Sequence, residues 1–186
     1  MKKGFTLIEL LIVIAILAIL ATTVVLVLNP AQILAQARDA QRISDLSSVK
    51  SAIALYLATA TSTAGFSTAT NCNIAACNNP GPFTTAPTVD TDMAIDGTGW
   101  MSTDLRGTSG GSSLSALPTD PTNSTTFYYS YKGAAALTFK LAGRLESAKY
   151  GPMMTADGGI RNTCAQYPPV VTDTTCYYEI GTDVSL

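Results

Sequence analysis

The chain has 186 residues, of which 47% are hydrophobic and 13% are charged, and its formal net charge is −2. That length fits one modest domain plus an additional segment, and the acidic, charge-poor composition argues against nucleic acid as the primary partner. No histidine is present, so the commonest general base and any Ser–His or Cys–His pair are missing. We therefore expect a protein that is not an enzyme and that uses no cofactor.

A long apolar segment stands near the N-terminus. Residues 5–28 form a predominantly apolar run whose single charge is Glu9, and Lys2 and Lys3 precede it. A helix of about 24 residues is roughly 36 Å long, which is enough to span a hydrocarbon core of about 30 Å. No basic residue follows until Arg38, so the positive-inside bias predicts a cytoplasmic N-terminus and an exported remainder.

One alternative is a cleaved secretory signal, in which the apolar segment is removed. Ala35-Gln36-Ala37 provides the small residues that such a cleavage site requires. The apolar region of a secretory signal is usually about 7–15 residues long, whereas this run is longer, and Pro30 separates it from the candidate site. The sequence therefore favours a retained helix but leaves this alternative open.

A second candidate cleavage site lies between Gly4 and Phe5. A glycine, an aromatic residue and a glutamate five positions after the glycine occur together as Gly4, Phe5 and Glu9. This arrangement, followed by the apolar run, resembles the class III signal of type IV prepilins and type II secretion pseudopilins. The resemblance implies that residues 1–4 are a leader, which a membrane prepilin peptidase removes on the cytoplasmic side. It also implies that Phe5 is then N-methylated and that the helix is kept.

Glu9 is the residue for which this resemblance implies a role in assembly. A carboxylate within an apolar segment is costly in a bilayer and needs a partner. Cleavage creates an ammonium group on Phe5, and a neighbouring subunit displaced by about one turn could place that group beside Glu9. Repetition of such a head-to-tail contact gives an open helical filament. The alternative is a monomeric, single-pass anchor of an extracytoplasmic binding domain, with Glu9 reaching the membrane edge.

The resemblance also implies partners and a location. The subunit would contact copies of itself, other pilins, the prepilin peptidase, an assembly platform with its ATPase machinery, and the membrane. Before assembly it would span the inner (cytoplasmic) membrane with its N-terminus in the cytoplasm. After assembly it would belong to an extracytoplasmic filament, either a pilus or a periplasmic pseudopilus.

Residues 29–60 are predicted to form an amphipathic, exported helix. Asn29-Pro30 interrupts the apolar helix, because proline lacks a backbone donor and clashes with the preceding turn. Beyond it, apolar residues recur at helical spacing. These residues are Leu46, Val49, Ile53, Tyr56 and Leu57. Arg42 stands three residues from an opposite charge on each side, Asp39 and Asp45. We interpret these charges either as a solvated face of the helix or as residues that pair between subunits.

The remaining residues, 61–186, are predicted to form an extracytoplasmic globular domain. Residues 59–126 are rich in Ser, Thr and Gly and predict a long loop, with Phe83 and Trp100 as its buried anchors. Two β-prone segments around a turn predict a β-hairpin at 127–147. The expected fold is α+β, in which a long N-terminal helix packs its exported half on a small C-terminal antiparallel sheet. This is the pilin-like architecture that the resemblance implies.

Four cysteines, Cys72, Cys77, Cys164 and Cys176, lie on the exported side of the predicted topology. An even number of cysteines in an oxidising compartment predicts disulfides, and three connectivities are possible. We favour the nearest-neighbour pairs, Cys72–Cys77 and Cys164–Cys176, and the second pair is similar to the disulfide-bounded C-terminal loop of many type IV pilins. The alternative, a four-thiolate zinc site, fits these spacings poorly.

Two aspartates, Asp157 and Asp173, could supply oxygen ligands to a hard cation. Pseudopilins of the type II kind often hold calcium in a C-terminal loop, and carboxylate oxygens suit that ion. However, Asp157 is followed by glycine, which is also an ordinary turn signal. We therefore predict no metal site.

Overall fold

The computed structural model describes residues 4–74, 77, 82–83, 85–166, 168–169, 173 and 175–186, with the backbone alone at 26–28. Two helices come first along the chain and a five-stranded sheet follows, so the predicted α+β class is confirmed. The chain divides into two compact units, Met1–Ala35 and Gln36–Leu186.

The apolar segment forms helix α1, Leu7–Leu28. Asn29 ends this helix with a φ of 41°, in the left-handed region that asparagine tolerates better than most residues. Helix α2, Pro30–Thr59, follows at once. Its first residue is proline, whose fixed φ and missing N–H suit the first helical position. The interruption predicted at Asn29-Pro30 is therefore the boundary between two helices.

Helix α2 buries one apolar stripe within the second unit. Leu46, Val49 and Ile53 are fully buried, Tyr56 is 1% exposed, and Leu57 lies partly buried at the edge of the stripe. Burial of each such side chain contributes about 1.5–3 kcal/mol relative to an exposed one, so this stripe holds α2 against the domain.

Five strands form one sheet in the order β2-β1-β3-β4-β5. They are β1 Thr70–Cys72, β2 Thr88–Val89, β3 Ser130–Gly133, β4 Phe139–Gly143 and β5 Tyr178–Gly181. The predicted hairpin corresponds to β3 and β4, in which Tyr131 lies opposite Leu141. Strands β1 and β2 are parallel, while the other neighbours are antiparallel. The sheet is therefore mixed, not wholly antiparallel as expected, because β2 lies in a segment that was predicted as loop.

Both faces of the sheet are covered. Tyr131, Phe139 and Leu141 point to one face and share the main core with the stripe of α2. The opposite face carries a smaller apolar cluster. Its buried members are Cys72, Tyr128, Ala142 and Tyr177. Strand β4 is buried along its whole length as a result, and this includes Lys140.

The segment 59–126 is anchored to the domain by the two predicted aromatic residues. Trp100 is fully buried, and its Nε1 donates a hydrogen bond to the carbonyl oxygen of Pro118 at 3.0 Å. Phe83 is also buried. The segment contains β1, β2 and a short 3-10 helix, Leu105–Gly107. These contacts explain how so long a segment with few charges is held in a compact domain.

Candidate functional site

Glu9 forms a capping box with Thr6 at the start of α1. Glu9 Oε2 accepts hydrogen bonds from the backbone N–H of Thr6 at 3.0 Å and from Thr6 Oγ1 at 2.8 Å. In return, Thr6 Oγ1 accepts from the N–H of Glu9 at 3.3 Å. The arrangement satisfies two N–H groups that would otherwise have no partner at the helix start. The carboxylate of Glu9 thus has a partner within its own chain, which the sequence interpretation had overlooked.

The candidate cleavage site precedes this cap. Gly4 is exposed, and a Cβ added there would meet no atom within 4 Å. The side chain of Phe5 is 79% exposed. Since α1 begins only at Leu7, the Gly4–Phe5 peptide bond lies outside the helical hydrogen-bond ladder. This bond is therefore exposed and lies outside the helix.

Apart from Glu9, the described side chains of α1 are predominantly apolar and exposed on all sides of the helix. Residues Leu7–Val25 are long and apolar enough to cross a membrane, with a mean hydropathy of 2.8, and none of that span is buried within the protein. It is the one helix with these properties in the described part of the chain. Thr22 and Thr23 interrupt the apolar surface, but their hydroxyls donate to the backbone carbonyls of Ala18 and Leu20. Lipid or other apolar helices must cover such a surface.

Helix α2 has an exposed face without any charged residue. Between 36 and 59, the exposed positions are Ala37, Ala40, Gln41, Ser44, Ser47, Ser48, Ser51, Ala54, Leu55, Ala58 and Thr59. The hydroxyl of Ser48 donates to the carbonyl oxygen of Ser44 at 2.8 Å, and that of Ser51 donates to Ser47 at 2.9 Å. These donors are satisfied within the helix, so little desolvation cost opposes the packing of another apolar surface here.

Two charged residues of α2, Asp39 and Arg42, are fully buried against the domain. The Nε and Nη2 of Arg42 hold the carboxylate of Asp120 at 2.7 and 3.1 Å, and Nη2 also donates to Thr122 at 2.8 Å. Nη1 donates to Asp39 at 2.9 Å and to Glu146 at 2.7 Å. The five N–H donors of a guanidinium are thereby all engaged. Both interpretations of the Asp39–Arg42 pair, a solvated face and pairing between subunits, are wrong.

Asp39 and Glu146 extend this cluster to the segment after β4. The carboxylate of Asp39 accepts the backbone N–H of Glu146 at 3.0 Å and that of Ser147 at 2.7 Å. Glu146 also forms a bidentate ion pair with Arg38, at 2.6 and 2.8 Å. The cluster joins α2 to two segments that are distant in the sequence, which explains why helical spacing alone could not reveal it.

Burial and ion pairing shift the pKa values around this cluster in opposite directions. Burial alone would raise the pKa of Glu146, but hydrogen bonds from Arg38 and Arg42 outweigh it and hold that pKa below its ordinary value. Asp45 lies nearby and accepts a hydrogen bond from Tyr129 Oη at 2.9 Å. Its pKa is raised because burial outweighs that bond.

Two disulfides join the four cysteines in the pairs favoured from the sequence. Cys72 is bonded to Cys77, with Cα atoms 6.5 Å apart, and Cys164 is bonded to Cys176, with Cα atoms 4.7 Å apart. Cys72 belongs to the smaller core cluster and Cys176 to the main one. The two disulfides therefore fasten loops to opposite faces of the sheet.

Asp157 and Asp173, the two candidate calcium ligands, accept hydrogen bonds from backbone N–H groups in turns. Asp157 accepts the N–H groups of Gly159 at 2.9 Å and Glu179 at 2.7 Å. Asp173 accepts the N–H of Thr175 at 2.9 Å. Within the described ranges, no three cysteine, aspartate or glutamate side chains lie close enough together to hold a metal ion.

The match to a known family concerns the N-terminal segment. The family model for the prokaryotic N-terminal methylation motif matches residues 1–25. Searches among curated proteins and among solved structures give no match. The matched motif, together with an apolar helix that could cross a membrane, fits a pilin-like protein. Residues 1–25 carry the prokaryotic N-terminal methylation motif, which is the class III signal of type IV pilins and pseudopilins.

Proposed function

We propose that this chain is a structural subunit of a type IV pilus or pseudopilus. It is cleaved after Gly4, N-methylated at Phe5 and assembled into a helical filament through α1. One observation carries the proposal: the methylation motif is joined to an apolar helix whose span Leu7–Val25 has no part buried within the protein. A structural role of this kind requires no catalytic group.

Helix α1 needs apolar surroundings both before and after assembly. In the membrane, acyl chains cover it, and in a filament, copies of the same helix replace them. Because one apolar environment is exchanged for another, extraction need not expose the helix to water. The partners that follow from this route are the prepilin peptidase, an assembly platform with its ATPase machinery, other pilins and further copies of this chain.

Glu9 changes partner along this route. In the isolated subunit its carboxylate is held by Thr6, which reduces the cost of placing a charge in the bilayer. In the filament, the ammonium of a neighbour's processed Phe5 supplies an opposite charge in a low-dielectric setting. A full positive charge attracts the carboxylate more strongly than the neutral donors of Thr6 do in such a setting, so the exchange favours assembly.

The exposed face of α2 favours a filament over a monomeric membrane-anchored binding domain. An exported helix that remained in water would be expected to carry charged residues on its outer face. Here that face consists mainly of alanine and serine, and Asp39 and Arg42 of the same helix are buried on its other side. Neighbouring subunits can pack against such a face without desolvating a charge.

The test is to express Glu9→Ala and Glu9→Asp variants in cells that assemble the wild-type chain. Both variants should insert into the membrane as the wild type does, because neither substitution makes the span Leu7–Val25 less apolar. Glu9→Ala should be absent from the sheared or crosslinked filament fraction, whereas Glu9→Asp, which keeps the charge, should be retained in part. Incorporation of Glu9→Ala at the wild-type level would contradict the proposed contact.

A further inference from the structure

Strands β4 and β5 carry a buried acid–base pair on the sheet face that is turned away from α2. Lys140 Nζ lies 2.8 Å from Glu179 Oε1, and both side chains are 0% exposed. The ring of Phe83 covers the amine, with its centroid 5.1 Å from Nζ. No function described above uses this pair, although burying two charges is costly.

The carboxylate of Glu179 is fixed with its two oxygens in different surroundings. Oε1 faces the amine, while Oε2 accepts a hydrogen bond from the backbone N–H of Arg161 at 2.9 Å. Gly159 lies against the same carboxylate, and an added Cβ there would collide with Oε2. The carboxyl group of Glu179 is thus held with Oε1 beside the amine of Lys140 and Oε2 beside the N–H of Arg161. Acyl transfer requires such an arrangement, with a nucleophile on one side and a hydrogen-bond donor on the other.

The buried surroundings of Lys140 oppose a charge on its amine. Burial lowers the pKa of Lys140 even though Glu179 is adjacent. Transfer of one proton from the ammonium to Oε1 gives an amine and a carboxylic acid, which removes both charges from the low-dielectric interior. A neutral amine is a nucleophile, whereas an ammonium is not.

We propose that Lys140 and Glu179 condense to form an intramolecular isopeptide bond. Nζ attacks Cδ of Glu179, and the N–C bond forms as the Cδ–Oε1 bond breaks. Oε1 leaves as water, with the proton received earlier and a second proton from the attacking nitrogen. Oε2 becomes the amide oxygen, and the N–H of Arg161 stabilises the negative charge that develops on it. The step consumes no oxidant, cofactor or energy source.

Positioning lowers the barrier to condensation. Groups held in contact can react with effective molarities of about 10⁵–10⁸ M, which makes the reaction much faster than that of a separated acid and amine. The product is also uncharged, so the desolvation penalty of the ion pair disappears. The bond would join β4 to β5 across 39 positions of sequence and constrain the segment that contains the Cys164–Cys176 disulfide.

Peptide mapping of the full-length wild-type protein tests this inference. After reduction, trypsin should fail to cleave at Lys140, and peptide 133–144 should remain joined to peptide 162–186. The joined species should be lighter than the sum of its parts by one water molecule. These fragments exclude the N-terminus, so the result does not depend on processing at Gly4. Recovery of separate peptides 133–140 and 162–186 at full mass would overturn the inference.

Lys140→Met is the matched control, because methionine is of similar length but cannot form an amide. The variant should give no joined peptide and should unfold at a lower temperature than the wild type. If peptides 133–144 and 162–186 were still joined in this variant, Lys140 would not be the nucleophile. Should the variant fail to fold, the digest of the wild-type protein still decides the question.

Discussion

Glu9 Oε2 lies 2.8 Å from Thr6 Oγ1 and 3.0 Å from the backbone N of Thr6. Both residues remain in the chain after cleavage at Gly4, so processing does not remove this contact. Thr6 therefore orders the first turn of α1 and fixes the direction of the one carboxylate in the apolar segment. The contact gives Glu9 a partner before any neighbouring subunit is present.

Thr6→Val should loosen the first turn of α1. Valine has nearly the shape of threonine but cannot accept the N–H of Glu9, and loss of an N-cap allows terminal amides to exchange roughly fivefold faster. Hydrogen exchange of residues 7–10 in detergent micelles would measure the effect. Thr6→Ser, which keeps the hydroxyl, is the control, and equal exchange in the two variants would argue against the capping box.

Ser48→Lys should block filament incorporation without unfolding the domain. The change places a charge at the centre of the uncharged α2 face, and a packed neighbour would have to desolvate it. Thr91→Lys adds the same charge at an exposed position in the loop after β2 and should assemble normally. Immunoblots of sheared filaments would compare the incorporation of the two variants, and melting curves would show whether each variant is folded. Normal assembly of Ser48→Lys would remove this face from the proposed interface.

Arg42→Met should be strongly destabilising. It leaves the carboxylates of Asp39 and Asp120 buried without their cation, and breaking a buried ion pair costs about 3–5 kcal/mol. Chemical denaturation of the detergent-solubilised chain would measure the loss. Arg106→Met is the control, because Arg106 pairs with Asp104 at the surface and its removal should change stability little. Equal losses for the two variants would contradict the role assigned to Arg42.

Stability should fall as acid protonates Glu146. Its folded pKa lies below the ordinary value of 4.5, so its contribution is complete above about pH 4.5 and is lost as pH falls through the lower, folded pKa. Melting temperatures between about pH 6 and pH 3 would show the decline. In Glu146→Gln, which cannot titrate, the decline should be shallower, and an unchanged slope would show that other groups govern it.

Helical spacing predicted the buried stripe of α2 but not the place of its charges. Leu46, Val49 and Ile53 follow local periodicity, which a single segment reveals. The partners of Arg42 include Asp120 and Glu146, which are 78 and 104 positions away, so no local pattern contains them. When only the local sequence is considered, opposite charges three residues apart therefore indicate a surface feature.

The sheet was predicted only where two β-prone segments flank a turn. The hairpin of β3 and β4 lies within 127–147, whereas β1, β2 and β5 have three, two and four residues, do not belong to a hairpin of adjacent strands, and were not predicted. Such short strands are defined by their neighbours and not by their own sequence. In contrast, the capping box Thr6-x-x-Glu9 is a readable local signal that the sequence interpretation overlooked.

The N-terminus of the mature protein tests the central claim most directly. Mass spectrometry of the chain isolated from cells that assemble it should find N-methylated Phe5 as the first residue, with α1 retained. Such an N-terminus creates the cation that the proposed contact with Glu9 requires. An intact Met1 would instead indicate an unprocessed membrane anchor, and an N-terminus after Ala37 would indicate a cleaved secretory signal. Either of those results would contradict the account of a filament subunit.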